Sequence, residues 1–288
     1  MNRIGFIGVG IMGKSMVRNL MKNGFEVHIF ARTKAKVENV IAEGAVFHET
    51  IADCVRGCGA VITMVGYPQD VEDVYFGEGK VLESADPGTY LIDMTTTSPS
   101  LDQRIAAEAA SRGLRFLDAP VTGGDVGAKA GTLAILVGGE KEDFDACHDL
   151  FMAMGKSLTW YGTAGAGQHA KLANQILQAS IMSAVCEAMA YAEKKGLDMG
   201  VFMEGAMAGA GRNYLLECYG QRILDDDMEP GFFVDFFIKD MKLGYEAGLE
   251  SDLDMSSLKL TMDHYQELSD LGLGRKGMQA LIKYYTRQ

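Results

Sequence analysis

The 288-residue sequence predicts an N-terminal α/β domain with a parallel-rich sheet, followed by an all-α C-terminal domain built on a long interdomain helix. Three observations carry this expectation. Short β-rich runs alternate with helix-like segments from Arg3 to about Tyr161, those runs stop beyond Gly167, and three glycines in G-x-G-x-x-G spacing follow the first strand. Alternation of this kind calls for crossover connections, and so for parallel strands with helices on both faces.

IGFIGV reads as the first strand, IMGKSMVRNLMKNG as the amphipathic helix after it and FEVHIF as the second strand. Later strands are read at AVITMV, TYLIDM, LRFLDAPV, LAILVGG and LTWY. SPSLDQRIAAEAASRG is read as a helix capped by Ser98, with Pro99 at its first position and Gly113 closing it. A hydroxyl at the cap satisfies an orphan amide, and proline at the first position gives up no hydrogen bond. From Gln168 the sequence turns to helical periodicity broken at GAGRN, DDDMEPG, SDLD and LGLG. The domains are therefore placed at 1–163 and 164–288. Asp225, Asp226 and Asp227 read as a solvated turn between helices, and there is no internal repeat or low-complexity tract.

With 48% apolar and 23% charged residues the chain reads as globular, and its net charge of −12 argues against nucleic acid and anionic membrane surfaces, which are bound by accumulated positive charge. A small carboxylate is the expected partner. The N-terminus shows no charged leader with an apolar core, and no run approaches the ~18 apolar residues of a membrane span, so a cytoplasmic protein is expected. Cys54, Cys58, Cys147, Cys186 and Cys218 lack the pairing and the histidines of a zinc site and read as reduced, buried thiols. The 18 methionines read as core filler, and no metal is expected.

GFIGVGIMG places Gly8, Gly10 and Gly13 after a strand and at the start of a helix. Gly8 suits the tight turn, Gly10 lets backbone approach a pyrophosphate, Gly13 allows close packing, and the helix N-terminus offers unpaired amides to an anion. This is the dinucleotide-binding pattern of a Rossmann fold, with Ile11 and Met12 as further cofactor contacts. The second strand ends in HIFARTKAK, without the acidic residue that would hold a ribose hydroxyl. Arg32, Thr33 and Lys36 stand where a 2′-phosphate would arrive, which favours NADP, with NAD as the alternative. A solvated basic helix start is the competing reading.

DAPVTGG offers the Thr122 hydroxyl beside Gly123 and Gly124, whose amides could cradle a carboxylate; read alone, such glycines are more often an ordinary turn. In GAGQHAKLANQ, Lys171 sits at the start of a helix apolar on nearly every face, where solubility does not explain an ammonium. Asn174 and Gln175 project from about the same face, where their amides could bind a substrate oxygen or a neighbouring helix.

Four stretches in order, GFIGVGIMGKSM, IDMTTTSP, DAPVTGGDVGAKAGTLAILVGG and GAGQHAKLANQ, resemble the β-hydroxyacid dehydrogenase family, and the resemblance covers nearly the whole chain. It implies hydride transfer between a nicotinamide and a short 3-hydroxy acid or its semialdehyde, the proton passing through Lys171. Desolvation and a nearby oxidised nicotinamide would lower a lysine toward that task. It further implies that Thr122, Gly123 and Gly124 hold the substrate carboxylate, with threonine where the family usually has serine. Lys239 is implied as a cofactor contact oriented by Asp240, against a surface ion pair as the competing reading, and Val65 and Thr96 as further cofactor contacts. His169 matches no family role. VGYP at 65–68, Asn213 with Tyr214, and LGLGRKGMQ depart from the family pattern and leave the substrate open. Relatives are commonly oligomeric, so a homodimer or homotetramer is expected. Imine reduction and a non-catalytic NADP-binding role are the alternatives.

Overall fold

The computed structural model describes residues 1–286 and contains two compact units, Met1–Lys171 and the chain from Leu172 onward. The first unit holds nine strands: β1 (Arg3–Ile7), β2 (Glu26–Phe30), β3 (Val46–His48), β4 (Ala60–Thr63), β5 (Tyr90–Asp93), β6 (Arg115–Asp118), β7 (Val121–Thr122), β8 (Leu133–Gly139) and β9 (Gly155–Gly162). They form one sheet in the order β3-β2-β1-β4-β5-β6-β8-β7, with β9 also pairing β8. The pairs from β3 through β6 are parallel, β8 runs antiparallel to β6 and β7, and β9 is parallel to β8. The parallel-rich sheet is therefore present, together with the short β3, which three residues without a strong apolar pattern did not announce.

Side chains alternate across the sheet and both faces are covered. Ile4, Phe6, Ile62, Ile92 and Leu117 join one buried cluster, whereas Ile7, Val61, Leu91 and Phe116 join another. This is why the central strands read as continuous apolar runs. Each such side chain contributes about 1.5–3 kcal/mol by burial. The helix Ile11–Lys22 packs Met16, Val17 and Leu20 inward, and Ser98 caps the helix Pro99–Ser111 by accepting from the Leu101 amide at 3.1 Å.

Strand order reverses between β1 and β4, so the loops leaving the carboxyl ends of β1, β4, β5 and β6 border the crevice where open α/β sheets bind ligands. That edge carries several of the residues of the first unit considered below.

From Leu172 onward every described regular element is a helix, apart from an isolated bridge between Phe233 and Gly277. The core of this unit gathers Met182, Cys186 and Met189 of the long helix Ala166–Lys194 with Phe237, Met241 and Tyr265. The Phe237 and Tyr265 rings meet edge to face at 5.2 Å, and the buried Tyr265 hydroxyl donates to the Met278 carbonyl at 2.7 Å. The long helix is less enclosed than its sequence suggests, since Leu177 and Tyr191 are about 60% exposed. No described helix is long and apolar enough to cross a membrane. Four of the five free cysteines are buried, and burial pushes the Cys54 and Cys147 thiols up to about 12. Asp226 and Asp227 are not merely solvated, because they pair with Lys283 and Arg222.

Candidate active site

The three glycines of the first turn meet different surroundings. Gly8 has φ +98° and lies so close to the loop after β4 that a Cβ would stand 2.2 Å from the Met64 carbonyl oxygen. At Gly13 a Cβ would meet the Gly8 carbonyl oxygen at the same distance, so the helix can start only without a side chain there. A Cβ on Gly10 would meet nothing within 4 Å. Gly10 is also the cap residue of the helix Ile11–Lys22 and has no side chain to satisfy the first amides, which are left for an external anion. Ile11 is exposed and Met12 half-buried at this opening. The turn fits the pyrophosphate of a dinucleotide.

At the end of β2, Arg32, Thr33 and Lys36 are all exposed. Arg32 Nη1 donates to Asp70 Oδ1 at 3.2 Å, and Asp70 Oδ2 accepts from the Tyr67 amide at 3.1 Å at the start of the helix Pro68–Tyr75. The VGYP departure is thus accounted for locally, with Tyr67 as cap and Pro68 at the first position. Val65 is half-buried and its amide donates to Thr95 Oγ1 at 3.0 Å, which ties the loop after β4 to the one after β5.

Asp93 ends β5 fully buried, with Oδ1 accepting from Thr63 Oγ1 at 2.7 Å and from the Thr95 amide at 3.0 Å. Thr96, half-buried, sits between the buried Thr95 and Thr97. Asp118 ends β6, also fully buried, and receives the Gly165 and Gln168 amides, each at 2.8 Å. It caps the beginning of the helix Ala166–Lys194, where a carboxylate complements the helix dipole. Burial raises the Asp118 carboxyl, against the opposing pull of those amides. Gly138 permits the approach, because a Cβ there would lie 2.5 Å from Asp118 Oδ1 and 2.7 Å from the Gly167 nitrogen.

Lys171 follows on the second turn of this helix and is only 6% exposed, whereas its neighbour His169 is exposed, as scaffold. Thr122 ends β7, and Gly123 and Gly124 continue from it with φ +125° and +62°, backbone that glycine adopts freely, into the short helix Gly124–Ala130.

In the helical unit Gln175 is 1% exposed. Its Nε2 donates to Asp240 Oδ2 at 2.8 Å, and its Oε1 accepts from Asn174 Nδ2 and Gln178 Nε2, each at 3.1 Å. Lys239 Nζ lies 3.0 Å from Asp240 Oδ1, and with side-chain exposures of 13% and 2% the pair is not the surface ion pair that was the competing reading. Asn213 caps the helix Tyr214–Leu224 by accepting from the Leu216 amide at 2.8 Å, and Tyr214 is exposed. In LGLGRKG, Gly274 backs onto Asp235, which also accepts from Ser269 Oγ at 2.7 Å.

Two open concavities, of about 490 Å³ around Arg3, His48 and Arg56 and about 400 Å³ around Glu229 and Lys276, contain none of the expected cofactor, substrate or catalytic residues. No metal-holding group of His, Cys, Asp or Glu occurs among the described residues.

Residues 3–162 match the family described as the NAD-binding domain of 6-phosphogluconate dehydrogenase. Residues 165–285 match the one described as the NAD-binding domain of NADP-dependent 3-hydroxyisobutyrate dehydrogenase. The protein named "Probable 3-hydroxyisobutyrate dehydrogenase-like 1, mitochondrial" from Arabidopsis thaliana is 40% identical over 97% of this chain and 84% of its own length. The chain belongs to the 3-hydroxyisobutyrate dehydrogenase, or β-hydroxyacid dehydrogenase, family. It is 45% identical over 99% of both chains to the uncharacterized oxidoreductase YkwC of Bacillus subtilis. A Mycobacterium tuberculosis 3-hydroxyisobutyrate dehydrogenase solved with L-serine superposes with a TM-score of 0.92 at 28% identity, covering 99% of each chain. The chain is thus an NAD(P)-dependent oxidoreductase of the 3-hydroxyacid dehydrogenase type.

Four residues of this edge were not singled out from the sequence: Asp93, Asp102, Asp118 and Gln168. The signal was available for Asp93 and Asp118, since a carboxylate closing an apolar strand, as in YLID and RFLD, has to be satisfied by something the strand does not supply.

Proposed function

We propose that this chain transfers a hydride between NADP(H) and a short 3-hydroxy acid or its semialdehyde, with Lys171 as the general acid and base. The observation that carries this reading is a lysine 6% exposed near the start of a helix whose first amides are already capped by Asp118. A lysine amine held out of bulk water suits proton exchange with a reacting oxygen. The nicotinamide supplies or accepts the hydride when bound.

Gly8, Gly10, Ile11, Met12 and Gly13 receive the pyrophosphate in this reading, Arg32, Thr33 and Lys36 the 2′-phosphate, and Val65, Thr96 and Lys239 the remainder of the cofactor. Thr122, Gly123 and Gly124 hold the substrate carboxylate. Asn174 orients the substrate, and Gln175 acts with it by accepting its amide. Residues 1–163 form the NADP-binding domain and 164–288 the substrate and oligomerisation domain. The helix Met199–Ala208 is largely apolar and has no buried residue in the single chain, which supports a homodimer or homotetramer. Free, mostly buried cysteines accord with the cytoplasm.

The test is the initial rate with NADPH and with NADH against glyoxylate and the tartronate, methylmalonate, malonate and succinate semialdehydes, with L-serine oxidation in the reverse direction. One of these substrates is expected to turn over with NADPH. Lys171→Ala is expected to lower kcat by about 10²–10⁴-fold with dinucleotide affinity retained; a variant that keeps its turnover would refute the lysine role.

A further inference from the structure

Asp102 lies on the helix Pro99–Ser111 and Asp93 at the end of β5, and neither carboxyl is exposed at all. Their four oxygens and the groups that face them define an unusual arrangement. Asp93 Oδ1 is occupied by Thr63 and the Thr95 amide, and Asp102 Oδ2 accepts from Gln168 Nε2 at 2.8 Å. Asp93 Oδ2 and Asp102 Oδ1 are both buried without a donor, and the Asp93 carboxyl helps to raise that of Asp102. Two buried carboxyls that each keep an oxygen without a donor, and that repel when both are charged, are relieved when one of them carries a proton.

Gln168 extends the link in two further directions. Its Nε2 also donates to the Thr95 carbonyl at 2.7 Å, and its Oε1 accepts from the Thr97 amide at 3.1 Å. One side chain therefore ties the first turns of the Lys171 helix to both flanks of Thr96 and to the acid pair beneath.

We infer that Asp93 and Asp102 share one proton and, with Gln168, form a latch that holds the Lys171 turn of the helix against the Thr95–Thr97 loop. These are positioning residues, and their effect on turnover rests on the reading of Lys171 as acid and base. The groups facing the pair are Thr63 of β4, Tyr75 beyond it through a 3.1 Å hydroxyl contact, Thr95, Gln168 of the lysine helix and Asp118 of β6. Burial pushes Asp93 up to about 6 and Asp102 well above its ordinary value, with Asp118 adding to both by repulsion. A carboxyl whose folded pKa is raised stabilises fully below its unfolded pKa of about 4, and that contribution is lost as the pH climbs through the folded value.

Asp102→Asn supplies the missing donor without a titrating proton and still accepts from Gln168, whereas Asp102→Leu and Gln168→Leu break the latch. Thermal melts of the full chain from pH 5 to pH 9 are expected to coincide at the acid end for the parent and Asp102→Asn. They should then diverge, with the parent about 5 °C lower at the alkaline end. Parallel curves would overturn the shared proton. In steady-state assays Gln168→Leu and Asp102→Leu are expected to lose about 10–100-fold in kcat with substrate KM within about twofold, and Asp102→Asn to recover most of it. Parental kcat in both leucine variants would overturn the latch. If the leucine variants do not fold, or if no substrate is turned over even by the parent, the melts of the parent and Asp102→Asn still decide whether the proton is shared. A failed substrate assay alone counts against the function, not against this pair.

Discussion

Arg32 and Asp70 are joined at 3.2 Å across the loops that leave β2 and β4, with the guanidinium side chain 85% exposed. An exposed pair of this kind contributes at most about 1 kcal/mol, whereas a charge-assisted bond to a phosphate is worth about 1.5–3 kcal/mol. On the proposed reading, a 2′-phosphate arriving here would outcompete Asp70 for Arg32. Arg32→Ala is expected to lower kcat/KM for NADPH by about 10–100-fold and to change the NADH value by less than about threefold. Equal losses with both cofactors would remove Arg32 from the 2′-phosphate and favour NAD.

Gly10 and Gly13 separate folding from cofactor binding. An alanine methyl at Gly13 would press on the Gly8 carbonyl, and overpacking of this kind costs about 1–3 kcal/mol, so Gly13→Ala should melt below the parent. The same change at Gly10 meets nothing in the protein. Gly10→Ala should melt with the parent and, on the proposed reading, bind NADPH at least about tenfold more weakly by fluorescence titration, since a methyl there would occupy the proposed approach to the pyrophosphate. Unchanged NADPH affinity in Gly10→Ala would mean that the dinucleotide lies elsewhere.

Gln175 differs from a side chain that only waits for substrate. Its Nε2 is bound to the buried Asp240, and leaving that carboxylate oxygen without its donor costs about 1–3 kcal/mol. Gln175→Leu should shift the urea midpoint downward as well as impair turnover. A variant with parental stability and a raised substrate KM would assign Gln175 to the substrate alone.

Thiol labelling reads the packing directly. Cys54, Cys58, Cys147 and Cys186 are buried, and burial raises all four thiols, whereas Cys218 is partly exposed. A disulfide reagent is expected to modify one thiol per native chain and five after denaturation in urea. Rapid native modification of more than one thiol would show that a buried cluster opens.

The residues that do chemistry with backbone were legible in the sequence, because glycine spacing after an apolar run carries its own geometry. Gly8, Gly10 and Gly13 stand in the turn their spacing implied, and strand alternation placed Ile4 and Phe6 on one face and Ile7 on the other. The buried lysine was legible too, since an apolar helix has no local use for an ammonium. Helical periodicity after Gly167 marked the second unit, but not which faces of its long helix stay open, because burial depends on what packs against a helix and not on its own pattern alone.

Local sequence thus determined the fold class, the glycine turn and the oddity of Lys171, all of which follow from chain stereochemistry and side-chain polarity within a few residues. Tertiary structure alone decided that Asp118 caps the lysine helix 50 residues away in sequence from the Gln168 amide, and that Gln168 reaches Asp102 across 66 residues. It also decided that Asp70 meets Arg32. Such pairings arise when separate strands deliver their ends to one edge of a sheet, where a polar group cut off from water must find its partner on another element.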